Sequence, residues 1–161
     1  MQQTIGKEIY VDPARKFCAW IEGPPMQPDS GVKTAIILLS NLYNEALHLP
    51  GGSGDEDTDF VLPEPTDREI DAMRERFENL PIESYLVAQP LTNDNRLERY
   101  CPFETFAFVY KYTKDGLDLY ESGKQASAID HWSRGFRHHW GVRITAFIYT
   151  LHTYASQNRL L

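Results

Sequence analysis

The chain has 161 residues, 42% hydrophobic and 24% charged, with a formal net charge of -7 and an isoelectric point near 5.2. That length suits one domain able to bury about two thirds of its unfolded surface without a metal or a disulfide staple. The acidic balance argues against non-specific nucleic-acid binding, which depends on clustered Lys and Arg releasing counterions, and the longest unbroken apolar run, Ala35 to Leu39, is far short of a membrane span.

Met1-Gln2-Gln3-Thr4-Ile5 lacks the charged-then-apolar pattern of a signal peptide. Asp12-Pro13 reads as an N-cap followed by proline at the first helical position. Ala14, Phe17, Cys18 and Ile21 then recur at helical spacing until Gly23-Pro24-Pro25, with a possible backward extension through Ile5 and Ile9. Pro24 to Ser30 is read as loop. From Val32, the positions Ala35, Ile36, Leu39, Leu42, Tyr43, Ala46 and Leu47 form the wide apolar face of a second helix running to Pro50.

A Gly/Asp/Pro-rich loop follows at 50–65. Its alternating acids resemble a calcium loop, but Phe60 stands where the sharp turn needs glycine and Thr66 where a bidentate Glu is needed, so that motif is rejected. Thr66-Asp67-Arg68-Glu69 is a capping box. Ile70, Met73 and Phe77 follow on one face of a third helix ending near Leu80-Pro81. A short helical piece is predicted over Ile82 to Val87, then loop over Pro90 to Asn95.

From Phe103 the stripe Phe106, Val109, Tyr110, Thr113, Leu117 and Tyr120 marks the core face of a further helix, and a second stripe, Phe108, Tyr112 and Leu119, lies on its opposite side. Such a helix either lies between layers of the monomer or covers a partner. After Gly123 a last helix runs from Lys124 to about Tyr154. Its buried stripe is Ala126, Ile129, Trp132, Phe136, Trp140, Ile144, Phe147, Leu151 and Tyr154. Gly135 and Gly141 inside it each cost about 1 kcal/mol relative to Ala, which predicts a kink near Gly141 or close backbone packing. His131, Arg134 and His138 project to the polar side, His139 to the edge of the aromatics, and Arg143 among them. A guanidinium there cannot deprotonate and must find a carboxylate, carbonyls or solvent.

The run Gly116-Leu117-Asp118-Leu119-Tyr120-Glu121, with Asp130-His131-Trp132 and His138-His139-Trp140-Gly141, resembles an uncharacterised bacterial family of small all-helical proteins, a domain of unknown function with a C-terminal His-Trp-Gly helix. The likeness is clearest over Val109 to His152 and fainter upstream, at the Asp-rich loop and Tyr85. In that family acidic residues stand where this chain has Phe108 and Tyr112, and a histidine where it has Arg143. The resemblance therefore implies the helical fold and lends no chemistry.

The expectation is an all-α single domain over 1–161, a bundle of five to six helices with a long C-terminal helix kinked near Gly141. Cys18 and Cys101 read as small hydrophobes of a reducing cytoplasm; their only sequence-local cations are Lys16 and Arg99. Glu45 and His48 make one Glu-x-x-His pair without a second, and His138 and His139 diverge by about 100° on a regular helix, so neither a metal nor another cofactor is expected. No nucleophile elbow, phosphate loop or dinucleotide fingerprint is present, which makes an enzyme the minority reading. The leading reading is a protein-interaction or self-association module using aromatic surface at Phe108, Tyr112 and Leu119. The alternative is a small-ligand or metal pocket around Arg143 and His139, floored by Trp140, with Glu45 or Glu104 as polar partner. The partner is thus a protein or a second copy, with no nucleic acid and no membrane.

Overall fold

The structure is a computed structural model that describes residues 5–51, 64–88, 91 and 96–161, with no side-chain description for 5–9. In chain order it has α1 (Ile5–Ile21), α2 (Pro28–Ala46), α3 (Asp67–Arg76), β1 (Tyr85–Ala88), β2 (Leu97–Tyr100), α4 (Pro102–Glu121), α5 (Gln125–Gly135), a π turn (Phe136–Trp140) and α6 (Gly141–Gln157). The all-α expectation holds apart from one antiparallel hairpin, in which Tyr85 pairs with Tyr100 and Ala88 with Leu97.

The α1 helix passes straight through Pro13, so Asp12 is no N-cap; its carboxylate instead ion-pairs with Lys16 one turn on, at 2.6 Å. The α2 helix starts at Pro28, four residues before the expected Val32, because Pro28 sits in the first turn, where its missing N–H is no loss. It stops at Ala46 and Leu47 is exposed. The capping box of α3 forms as read: Glu69 N–H donates to Thr66 Oγ1 at 3.3 Å and Thr66 N–H to Glu69 Oε2 at 2.7 Å. That helix ends at Arg76, ahead of Leu80. Arg76 then reaches back to α1, donating from Nη2 to the Trp20 carbonyl at 2.8 Å and from Nε to that of Ile21 at 3.2 Å, so that it caps the end of α1.

The predicted helical piece at Ile82 to Val87 is wrong. Tyr85 and Val87 are buried while Leu86 and Ala88 are exposed, an alternation with a period of two that suits a strand lying on the core. The tyrosine is anchored by stacking on Phe147 at 5.2 Å and by a 2.6 Å hydrogen bond with Thr105 Oγ1. Most of the predicted 90–95 loop and the rejected calcium motif lie outside the described residues.

The α4 helix packs against α1, α3, α5 and α6 and so is the central rod. Both of its apolar faces are covered by the chain itself, with Phe106 and Val109 fully buried on one and Phe108 and Tyr112 buried on the other. At Gly116 an added Cβ would overlap Trp132 Nε1, which donates to the Thr113 carbonyl at 3.2 Å. The close approach of α5 to α4 depends on that missing side chain. Gly123, with φ +85°, makes the turn between them.

The long C-terminal rod is continuous, and its irregularity is a π turn ahead of Gly141, where an added Cβ would lie 2.5 Å from the Phe136 carbonyl oxygen. The cause is the spacing of the residues that pack on the core, Phe136 partly buried and the others fully. Trp132, Phe136, Trp140 and Ile144 are separated by four each, which on a regular helix would rotate the stripe by about 120°. One extra residue accommodated in a π turn reduces that drift to about 20° and keeps Trp132, Trp140, Ile144, Phe147 and Leu151 on one side. Ala126, expected on the stripe, is exposed.

Candidate functional site

Among the described residues, two places combine exposed or chemically unusual side chains from several elements. The first is built where α4, α5, the π turn and the first turn of α6 meet. Arg143 projects from α6 between two rings, its Cζ 4.2 Å from the Phe108 centroid and 4.6 Å from that of Tyr100 on β2. Its Nη1 lies 3.7 Å from Glu104 Oε1, beyond hydrogen-bond distance, and the side chain is 21% exposed. The core-side guanidinium inferred from the helical wheel is thus answered by ring faces and one carboxylate.

Next to it, the buried Tyr112 ring is flanked by His131 at 5.5 Å and His139 at 6.2 Å, and an added Cβ at Gly135 would lie 2.7 Å from Tyr112 Cδ1. Among the described residues no hydrogen-bond partner meets the Tyr112 hydroxyl, Trp140 Nε1 or Arg143 Nη1. Burial pushes the Tyr112 phenol up, with Glu64 and Asp115 adding to it. Burial also lowers both histidines: Asp115 and a hydrogen bond to the Tyr112 backbone oppose that at His131, whereas His138 and Arg143 add to it at His139. Asp115 is raised, again by burial. Burial thus disfavours the charged forms of Asp115, His131 and His139 alike. Ser133, the nearby hydroxyl, donates to the Pro50 carbonyl at 2.8 Å. The Cys18 thiol is buried elsewhere and pushed up to about 12 by burial and Glu22.

Of the residues assigned to a polar pocket, Arg143, Glu104 and His139 do come together. Trp140 does not line an opening, because it is fully buried and packs on Phe136 at 4.9 Å. Glu45 accepts from its neighbour Asn44 at 2.8 Å on α2, and His48 lies beyond the end of that helix, so the Glu-x-x-His pair shares no helical face. His138 and His139 sit in the π turn, where regular-helix angles do not apply; His138 is exposed and His139 is held against Tyr112. His131, projected to the polar side, is half-buried instead.

Of the residues assigned to an interface, Phe108 and Tyr112 are buried within the chain and Leu119 is partly buried. Phe108 lies under Arg143, Tyr112 lies between the imidazoles, and Leu119 is partly buried against the core.

The second place is a groove of about 480 Å³ between β1 and the outer half of α6. Leu86, Tyr149, Thr153, Tyr154 and Gln157 line it, with Arg99 at one end donating to Ser84 Oγ at 2.8 Å. Tyr149 is 74% and Leu86 53% exposed, and Leu97 on β2 is exposed nearby in the hairpin. The sequence signal for this groove was weak. Tyr149 lies outside the buried stripe of its helix, the strand that supplies Leu86 is predicted as helix, and the segment that supplies Leu97 carries no predicted element.

The sequence model of a family described as "Domain of unknown function (DUF5063)" matches residues 7–157. No curated protein matches. Among solved structures, the protein BF1032 from Bacteroides fragilis matches with a TM-score of 0.64 at 22% identity, over 90% of this chain and 91% of that one.

Proposed function

The chain belongs to the DUF5063 family, a domain of unknown function, and from that premise we propose that it is an interaction module receiving an extended polypeptide segment in the groove between β1 and α6. One observation carries the reading: large apolar side chains are left exposed on both walls of one groove, Leu86 on the strand side and Tyr149 on the helix side. Scattered singly such residues need no explanation, but facing each other across a cleft they form an apolar contact surface with an aromatic anchor. The hydroxyls of Thr153 and Tyr154 and the Gln157 amide supply polar rim. An edge strand beside a helix also offers main-chain hydrogen bonds to an extended segment.

The test uses a phage-displayed library of random peptides selected on the intact chain. Selected peptides are expected to be extended and largely uncharged, and to lose at least tenfold in affinity to Tyr149→Glu. Binders indifferent to that substitution, with shifts mapping away from β1 and α6, overturn the reading.

A second reading, a small acidic ligand held by Arg143 and His139, is supported by the Arg143 Nη1 that lacks a hydrogen-bond partner. Thermal shift with inorganic phosphate tests it. Stabilisation that disappears in Arg143→Met supports it, and an equal response in both proteins removes it.

A further inference from the structure

The outer face of α6 carries no acid, lysine or arginine. Val142, Thr145, Tyr149, His152 and Ser156 are exposed along it, and Arg143, from the same helix, is turned between the Phe108 and Tyr100 rings. Surface helices ordinarily place charge on that side, as α3 does with Asp67, Arg68, Asp71, Arg74 and Glu75. The groove beside β1 shares Tyr149 with this surface.

One cation stands at the end of the groove. Leu86 and Arg99 oppose each other in the hairpin ladder, so both side chains leave from its solvent face. Arg99 crosses towards Ser84 and donates from Nη1 to its Oγ at 2.8 Å. Among the described residues no carboxylate comes within ion-pair distance of Arg99, and none lines the groove. Its neighbour Glu98 accepts from the Tyr100 hydroxyl at 2.6 Å instead. With Nη1 tied to Ser84, the Nε–Nη2 edge remains, a pair of parallel N–H donors that matches the two oxygens of a carboxylate. The helical wall has the opposite polarity. Thr150 and Thr153 donate their hydroxyl protons to the Ala146 and Tyr149 carbonyls, each at 2.9 Å, so that their oxygens can only accept.

Resting on the interaction reading above, we propose that the occupant of the groove is an extended segment of a partner protein bearing a single Asp or Glu. Its carboxylate pairs side-on with Arg99, and its uncharged residues lie over Leu86 and Tyr149. Charge complementarity selects this chemistry. A basic segment would bring its cation to a guanidinium with no acid beside it. A phosphorylated segment carries close to two negative charges and is met by clusters of arginine, whereas the lining holds one arginine and no lysine. Additional acids in the segment would meet the repulsive field of a chain with net charge -7. One carboxylate is therefore the number that the site matches, and the segment's backbone supplies N–H donors for the threonine oxygens.

The experiment uses the full chain and the peptides selected on it. Peptides whose binding is lost in Tyr149→Glu are expected to share one Asp or Glu position. Replacing that acid in the peptide by its amide, and Arg99→Gln in the protein, are each expected to lower affinity about tenfold. Together they are expected to lower it no further, because each removes the same pair. Arg99→Lys keeps the charge without the paired donors and is expected to recover part of the loss. Arg99 is exposed, so circular dichroism is expected to be unchanged in both variants. Groove-bound peptides with no common acid, losses that multiply when the two changes are combined, or tighter binding with phosphoserine at that position than with Glu overturn the acidic segment and leave the interaction reading standing. A chain of twice the monomer mass by light scattering that Tyr149→Glu makes monomeric assigns the groove to a second copy, and also overturns it. The absence of any peptide sensitive to Tyr149→Glu overturns both readings.

Discussion

Arg143 shows how a single residue can be read from sequence and still be finished by its surroundings. Its place among aromatic positions followed from counting helical angles, but the two rings that sandwich it come from α4 and β2, about forty positions away in the chain. Each such contact contributes about 0.5–1 kcal/mol at a partly exposed site, so Arg143→Met is expected to lower unfolding free energy by about 1–2 kcal/mol in urea titrations. Glu104→Gln is expected to cost less than about 1 kcal/mol, since its ion pair is long and partly exposed. A larger loss from the glutamate would mean that the ion pair, not the rings, holds the arginine. Gly116 is the opposite case, a residue whose role is invisible until Trp132 is seen against it. Gly116→Ala is expected to cost about 1–3 kcal/mol by overpacking and to shift Trp132 emission as its hydrogen bond to the Thr113 carbonyl breaks.

For the elements, the outcome depended on whether local signals were complete. The capping box of α3 was legible because both partners lie within four residues, and Thr66→Ala is expected to cost about 1 kcal/mol of stability. The hairpin was not legible, because four-residue strands carry too short an alternation to outweigh a helical reading, and their stability comes from Phe147 and Thr105 across the core. The π turn lay between these cases. Three successive spacings of four were in the sequence, and only the requirement that Trp132 and Ile144 both be buried turns them into a backbone irregularity. Deleting His138 is therefore expected to leave a regular helix with both flanks in phase and cooperative unfolding by circular dichroism. Deleting Thr145 in α6 instead rotates Phe147 and Leu151 by about 100° away from the core and is expected to abolish the cooperative transition. Equal tolerance of the two deletions would refute the phase argument.

For the whole molecule, burial of titratable groups around Tyr112 ties stability to pH. The folded pKa values of His131 and His139 lie below the ordinary 6.5, so below pH 6.5 the unfolded chain binds more protons than the folded one. Their contribution is full above pH 6.5 and declines as pH falls through the folded values. Asp115 runs the other way: raised above 3.8, it favours the fold most below pH 3.8 and loses that contribution as pH rises through its folded value. Urea midpoints are expected to fall between about pH 7 and pH 5.5, with a shallower slope in the His131→Asn, His139→Gln double variant. An unchanged slope would locate the acid sensitivity elsewhere. Among the described residues no helix is long and apolar enough to cross a membrane, which agrees with the short apolar runs of the sequence.

By itself the sequence determined the helical class, the central two-faced helix before Gly123, the capped start of α3 and the long C-terminal rod with its disturbance beside Gly141. Each is written in side chains that repeat within one or two turns, and the burial of periodic apolar residues is a local instruction. Tertiary structure alone decided which of those faces met a partner. The stripe of Phe108 and Tyr112 was closed by Arg143, His131 and His139 arriving from other elements, and an aromatic surface became core. The groove by β1 opened because a strand and a helix distant in sequence came to lie side by side with Leu86 and Tyr149 uncovered. Exposure is a property of pairs of elements, and no spacing along one chain segment encodes what will be laid across it.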